Sequence, residues 1–399
     1  MRTLVSTAAV LGAAALFPLT ASAAPDPTCS WAAKTDPDTV NVAFPDTNAS
    51  YWSHAYAAAP GTELVVHGTY AKARYFSFHV YQPSGVPVDS IYDAQLRPDP
   101  GAANPFAGGS PRARRQTYTL RVVFTAKPSR PAPNTLYAGK LALSGSLPNP
   151  GGLLMLRVYT PNDPRSPQGG VPLPTVATAT SSGAVLTSGS ACSSDLPSTG
   201  GAATSEVNDS SDPSGPEAGG QISWGKAYGN NAAGFFGNQQ NAYLTATINR
   251  EYGDLVVIRT RAPRFPDTVH GHYPSSRDQV RYWSFCQNSG STRVNACTAD
   301  YQTAVDRQGY LTIVVSDPAQ RPANAIARNG VTWIPWGAAD PAGILIYRNM
   351  VPARGFPHSV QAVQKGDDPK VVMGAYYPSA RYCTKTGFEQ HGWRGCLES

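Results

Sequence analysis

The sequence predicts an all-β protein built from two homologous β-sandwich, jelly-roll-like lobes, and three observations carry that prediction. The first is an internal repeat: Arg74-Tyr75-Phe76-Ser77-Phe78 returns 207 residues later as Arg281-Tyr282-Trp283-Ser284-Phe285. At the same offset Asp93, Gln95 and Asp99 fall on Asp300, Gln302 and Asp306, so a D-x-Q-x-x-x-D pattern recurs without a gap. The second is composition, with 41% apolar and 15% charged residues beside 37 Gly and 36 Pro, a balance that favours turns over long helices. The third is the spacing of short runs rich in Val, Ile, Leu and aromatics, each bounded by Gly, Pro, Asn or Asp, with no amphipathic helix between them.

Taken in order, the chain opens on Arg2 and an apolar run from Leu4 to Leu19, then Ala21-Ser22-Ala23, the pattern of a secretory signal peptide over residues 1–23. The first lobe follows over 24–197, with strand runs at Glu63 to His67, Arg74 to Phe78, Tyr118 to Thr125 and Leu153 to Tyr159. Residues 198–220 are Gly, Ser, Thr, Asp and Glu with little to bury, the composition of a flexible linker. The second lobe, 221–399, repeats the runs at Asp254 to Ile258, Arg281 to Phe285, Tyr310 to Ser316 and Ile344 to Met350. An offset of 192 pairs Gln116 and Tyr118 with Gln308 and Tyr310, and one of 191 pairs Arg157 with Arg348 and Pro161 with Pro352.

Compartment follows from the leader and the cysteines. Beyond the leader no run approaches the roughly 18 apolar residues that span a bilayer, so the expectation is a secreted, soluble protein without membrane insertion. Six Cys in an exported chain suggest three disulfides, and sequence alone allows 15 connectivities. Cys286 with Cys297 and Cys383 with Cys396 look like local bridges, which leaves Cys29 with Cys192. The repeat places His79 and Ser90 at the positions of Cys286 and Cys297, so those two residues are expected to face each other across a hairpin. A net charge of +6, scattered except for Arg112, Arg114 and Arg115, excludes the profile of a nucleic-acid binder.

Several motifs together resemble a known group. The Tyr377-Pro378-Ser379-Ala380-Arg381-Tyr382 turn, the R-Y-[FW]-S-F strand and the Gly309-Tyr310-Leu311-Thr312-Ile313 run before Asn329-Gly330-Val331-Thr332-Trp333-Ile334-Pro335 are similar to exported bacterial jelly-roll proteins. That group comprises the twelve-fourteen and twelve-fifty-four domains of unknown function. The resemblance implies a sandwich fold and export, and brings no catalytic residues with it. The second-lobe cysteine pairs depart from the group's usual pattern.

Chemistry-bearing residues are few. Arg74 with Asp93, and Arg281 with Asp300, hold the same place in each copy; the expectation is an Arg–Asp pair inside each lobe, against an anion-anchoring alternative. His270-Gly271-His272 is the one H-x-H; on a strand both imidazoles would share a face and could hold a metal completed by Asp254, Asp267 or Asp278. An exposed loop carrying two His is the plainer reading, and no cofactor is expected. Asp99 and Asp306 read as turn formers, and Ser77 and Ser284 as buried strand hydroxyls.

Aromatic residues suggest a binding surface. Trp333-Ile334-Pro335-Trp336 is expected on a partly exposed loop, with Tyr282, Trp283 and Arg348 as further ligand contacts. The expected function is a secreted two-lobe protein binding a small molecule or carbohydrate-like extracellular polymer at the inter-lobe groove or an aromatic face. The alternative is an extracellular hydrolase using His270, His272, Asp300 and Arg281.

Overall fold

The computed structural model describes residues 30–31, 33–41, 43–142, 145–147, 151–189, 220–227, 236–290, 292–337 and 340–398. The leader 1–23, the linker up to residue 219, and both Cys29 and Cys192 lie outside the described residues.

The first lobe opens with β1 (Ala33–Thr35), β2 (Ala49–Ala57), β3 (Thr62–Thr69) and β4 (Ala73–Tyr81). β5 (Pro87–Tyr92), β6 (Thr117–Val123) and β7 (Thr135–Tyr137) follow, then a small hairpin of β8 (Lys140–Ala142) and β9 (Gly145–Leu147). β10 (Gly151–Pro161), β11 (Thr175–Thr180) and β12 (Val185–Ser188) complete it. The second lobe contains β13 (Gln221–Ile222), β14 (Gly225–Lys226), β15 (Asn241–Asn249), β16 (Leu255–Arg261) and β17 (Val280–Ser289). It continues through β18 (Val294–Ala299), β19 (Tyr310–Ser316), β20 (Val331–Pro335), β21 (Ala342–Pro352) and β22 (Ser379–Cys383). Three short helices, α1 (Pro369–Met373), α2 (Lys385–His391) and α3 (Arg394–Leu397), lie near the C-terminus.

These strands form two five-stranded sheets per lobe, with matching orders. One sheet runs β1-β2-β10-β4-β5 in the first lobe and β14-β15-β21-β17-β18 in the second. The other runs β12-β11-β3-β6-β7 and β13-β22-β16-β19-β20, each ending on a parallel pair. The fold is all-β, and the equal strand orders agree with the repeat.

Alternation along β4 and β10 explains how the lobes meet. Phe76, Phe78, Val80, Leu154, Leu156 and Val158 point into the first sandwich. On the opposite face of the same strands, Tyr75, Tyr81, Met155 and Tyr159 pack with Tyr282, Ala299 and Met350 of the second lobe. All nine residues of β4 and all ten of β17 are buried, one face packed in its own sandwich and the other against the opposite lobe. The molecule is thus four sheets deep, with a seam between the two inner sheets.

The outer sheets differ. On the second lobe, Leu255, Val257 and Val314 are covered by Phe388 and Cys396 of the C-terminal helices, which the Cys383–Cys396 disulfide ties to β22. The Cys286–Cys297 disulfide also forms, joining β17 to β18 at a register pair. His79 and Ser90 face each other in the matching hairpin of the first lobe, as the repeat predicts.

Candidate functional site

The seam gathers most of the polar residues singled out in the sequence, though not as the sequence suggests. Each Arg of the repeated strand reaches the other lobe's Asp. Arg74 Nη1 donates to Asp300 Oδ2 at 2.5 Å, and Arg281 Nη1 donates to Asp93 Oδ1 at 2.7 Å. Each Asp also accepts a backbone N–H from its own lobe, from Phe76 to Asp93 at 2.9 Å and from Trp283 to Asp300 at 3.4 Å. The expected Arg–Asp pairs within a lobe are therefore corrected to pairs exchanged between lobes.

A shared backbone feature stands opposite both arginines. Thr160 and Val351, which stand opposite Arg74 and Arg281 in the unshifted register of β10 with β4 and of β21 with β17, adopt left-handed φ of 48° and 44° and make no ladder pair there. A branched residue in that region is costly, and it persists here in both copies. The rings of Phe265 and Phe106, each from the opposite lobe, lie 4.7 Å and 5.5 Å from the guanidinium carbons of Arg74 and Arg281. Burial is the largest influence on both carboxyls and outweighs the neighbouring Arg, raising Asp93 and pushing Asp300 up to about 6.

A second reciprocal set joins the inner-sheet arginines to two straps. Phe44 and Phe236 both adopt left-handed backbone, with φ of 52° and 55°. Arg348 Nη2 donates to the carbonyl of Phe44 at 2.7 Å, and Arg157 Nη2 donates to that of Phe236. Two residues beyond each Phe the copies diverge. Asp46 accepts from Tyr282 Oη at 2.9 Å and Ser284 Oγ at 2.7 Å, with Arg348 Nη1 at 3.8 Å. Asn238 takes its place at the other end, with Tyr75 Oη 3.5 Å from its Oδ1.

The ligand-contact candidates fall mostly inside the protein. Tyr282, Trp283, Trp336 and Arg348 are buried, each by packing rather than by a groove. The Trp333 to Trp336 segment is not a loop: Val331–Pro335 pairs in parallel with β19, so the chain's β-branched residues found a ladder partner there. Trp333 is half-buried, donates to Ser316 Oγ at 3.0 Å and lies under Arg321 at 4.5 Å.

The His270 and His272 region is also corrected. Thr268–His270 is a 3-10 turn closed by left-handed Gly271, so the strand argument for two imidazoles on one face does not apply. Both histidines are exposed. His270 Nδ1 is 2.6 Å from Asp267 Oδ2, and Asp267 Oδ1 lies 3.7 Å from Arg74 Nη2. Of the four hydrolase candidates, His270 and Asp300 are thus linked through Asp267 and Arg74, while Arg281 belongs to the other ion pair. Among the described residues, the one cluster with metal-like spacing is Asp46, Cys286 and Cys297, whose sulfurs are joined to each other.

An open concavity lies on the outer sheet of the first lobe. It measures about 560 Å³ and is walled by the turn Ala58 to Gly61, with Glu63, Arg121, Phe124 and Tyr137. Glu63 is buried and receives Arg121 Nε at 3.0 Å and a second bond from its Nη2, while the Arg side chain stays half exposed. Sequence reading missed this groove, along with Asp46, Asn238 and Arg157. The signal for Asp46 and Asn238 was available: Phe44-x-Asp46 and Phe236-x-Asn238 repeat at the offset of 192 that pairs Gln116 with Gln308, and the offset of 191 already sets Arg157 beside Arg348.

No family model matches the chain, and no curated protein matches it. Among solved structures the chain is similar to an uncharacterized protein from Burkholderia cenocepacia, at 11% identity and a TM-score of 0.49, over 82% of this chain and 79% of that one. A protein from Vibrio parahaemolyticus aligns at 12% identity and a TM-score of 0.42, over 85% and 90% of the two chains. Likenesses this distant bear on neither the site nor the activity.

Proposed function

We propose that this is an exported binding protein that takes a small carbohydrate-like molecule in the first-lobe groove, with the seam serving as its rigid frame. The observation that carries this reading is the Arg121–Glu63 pair on the groove wall beside Phe124 and Tyr137. A charged pair offers hydroxyls both a donor and an acceptor, and neighbouring rings offer an apolar face. The sequence likeness to exported jelly-roll proteins belongs with this reading. Calorimetric titration with a panel of neutral saccharides tests it. Arg121→Lys, which keeps a cation beside buried Glu63 but loses the guanidinium fork, is expected to weaken binding about tenfold, one charge-assisted hydrogen bond's worth, with little change in thermal stability. Binding unaffected by that change, or no saccharide bound at all, overturns it.

A hydrolase is the second reading, favoured by the 2.6 Å contact of His270 with Asp267. A carboxylate that orients an exposed imidazole is the usual support of a general base. Turnover of chromogenic esters or glycosides that disappears in His270→Ala would establish it; turnover that survives the substitution would end it.

A further inference from the structure

We infer that the Asn238 end of the seam is a binding site for a small monovalent anion of the size of chloride, held beside Arg157 and supplying the charge that the Asp46 carboxylate supplies at the other end. The argument is a comparison of equivalent positions. Arg348 has Asp46 within 3.8 Å, and it is 2% exposed. Its counterpart Arg157 is 5% exposed, and among the described residues no carboxylate lies within ion-pair distance of it. Its polar contacts are neutral: Tyr81 Oη at 3.2 Å and 2.7 Å, and the carbonyl of Phe236. A guanidinium does not deprotonate in a protein, so this end carries a buried positive charge without an opposite one.

Two further buried donors lie at the same end. Asn238 is 1% exposed, and its Oδ1 accepts from Gln240 N at 3.0 Å, which leaves Nδ2 as a donor with no hydrogen-bond partner. His79 is fully buried, contacts Ser77 Oγ through Nε2 at 3.0 Å, and has no partner at Nδ1. With the Ser77 hydroxyl donating to Nε2, the ring proton resides on Nδ1, which is then a second donor. At the opposite end the equivalents of His79 and Ser90 are the Cys286–Cys297 disulfide, and Asp46 supplies the negative charge. The Asn238 end therefore offers a charge and two N–H donors where its twin holds a carboxylate. Buried donors of this kind are ordinarily satisfied, and an anion satisfies all three and the charge together.

Thermal unfolding of the intact protein in sodium chloride and in sodium gluconate at equal ionic strength tests the site. Chloride is expected to give a saturable rise of about 2–4 °C, as a ligand that binds only the folded state does. Asn238→Asp supplies the carboxylate within the chain and is expected to remove the chloride dependence. Bromide diffused into crystals of the unaltered protein should give an anomalous peak beside Arg157, which keeps the test independent of any variant's folding. Equal melting in chloride and gluconate, a chloride effect that persists in Asn238→Asp, or no bromide peak there each overturns the proposal.

Discussion

The two ends of the seam are built from the same parts and finished differently. At one end Asp46, Tyr282, Ser284 and Arg348 form a compensated cluster backed by the Cys286–Cys297 disulfide. At the other, Asn238, Tyr75, Ser77 and Arg157 hold the equivalent places, with His79 and Ser90 instead of the bridge. Between them the exchanged pairs Arg74–Asp300 and Arg281–Asp93 are alike in distance and burial. The difference teaches that docking of the lobes rests on the shared centre, while the ends have been free to change. Such an arrangement has the logic of an isologous interface, in which each contact occurs twice.

Removing an arginine from the centre should have the largest effect. Arg74→Ala and Arg281→Ala each strand a buried carboxylate and are expected to cost about 3–5 kcal/mol in urea unfolding. Similar losses would show that the centre is symmetric in energy as well as geometry; a loss confined to one variant would break the comparison. Replacing Cys286 and Cys297 together by Ser opens an 11-residue separation, for which chain-entropy reasoning gives about 3 kcal/mol. That loss belongs to the Asp46 end alone, so partial unfolding followed by hydrogen exchange should start there.

Acidity should act on the centre and the Asn238 end with opposite sign. Asp300, with its folded value pushed up to about 6 from 3.8, binds its proton more readily when folded. Its contribution is fully present below 3.8 and is lost as pH rises through about 6, on the order of 3 kcal/mol, and Asp300→Asn should abolish that slope. Burial, and next the charge of Arg157, hold His79 well below the usual 6.5, so its contribution is present above that value and is lost as pH falls. Stability curves of the unaltered protein and His79→Gln between pH 4 and 8 separate the two; a variant with an unchanged acid limb would contradict the assignment. The smallest change expected is Asp46→Asn, which makes the two ends alike at about 1–2 kcal/mol, because the amide oxygen still accepts from Tyr282 and Ser284.

Much of this architecture is legible in the residues themselves. The R-Y-[FW]-S-F strands, their order and the disulfides within the second lobe follow from periodicity and spacing, which are local properties. The Trp333 to Trp336 segment was harder, since a parallel ladder with β19 depends on a partner that a short Val-Thr-Trp-Ile-Pro run cannot specify. His270 and His272 likewise depend on a backbone turn that Gly271 permits at φ 85° but does not announce. The groove beside Arg121 is assembled from segments distant in the chain, and no single motif marks it.

By itself, the sequence determined the all-β class, the twofold repeat and the presence of an Arg and an Asp at matching places in each copy. Only the tertiary structure decided which Asp each Arg would meet. A repeat fixes what each lobe contains, and the same pairing pattern satisfies it within a lobe or between lobes. The choice was made by the packing of the seam faces of β4 and β10 against Tyr282, Ala299 and Met350 of the second lobe, which brings each Arg within reach of the opposite lobe's Asp.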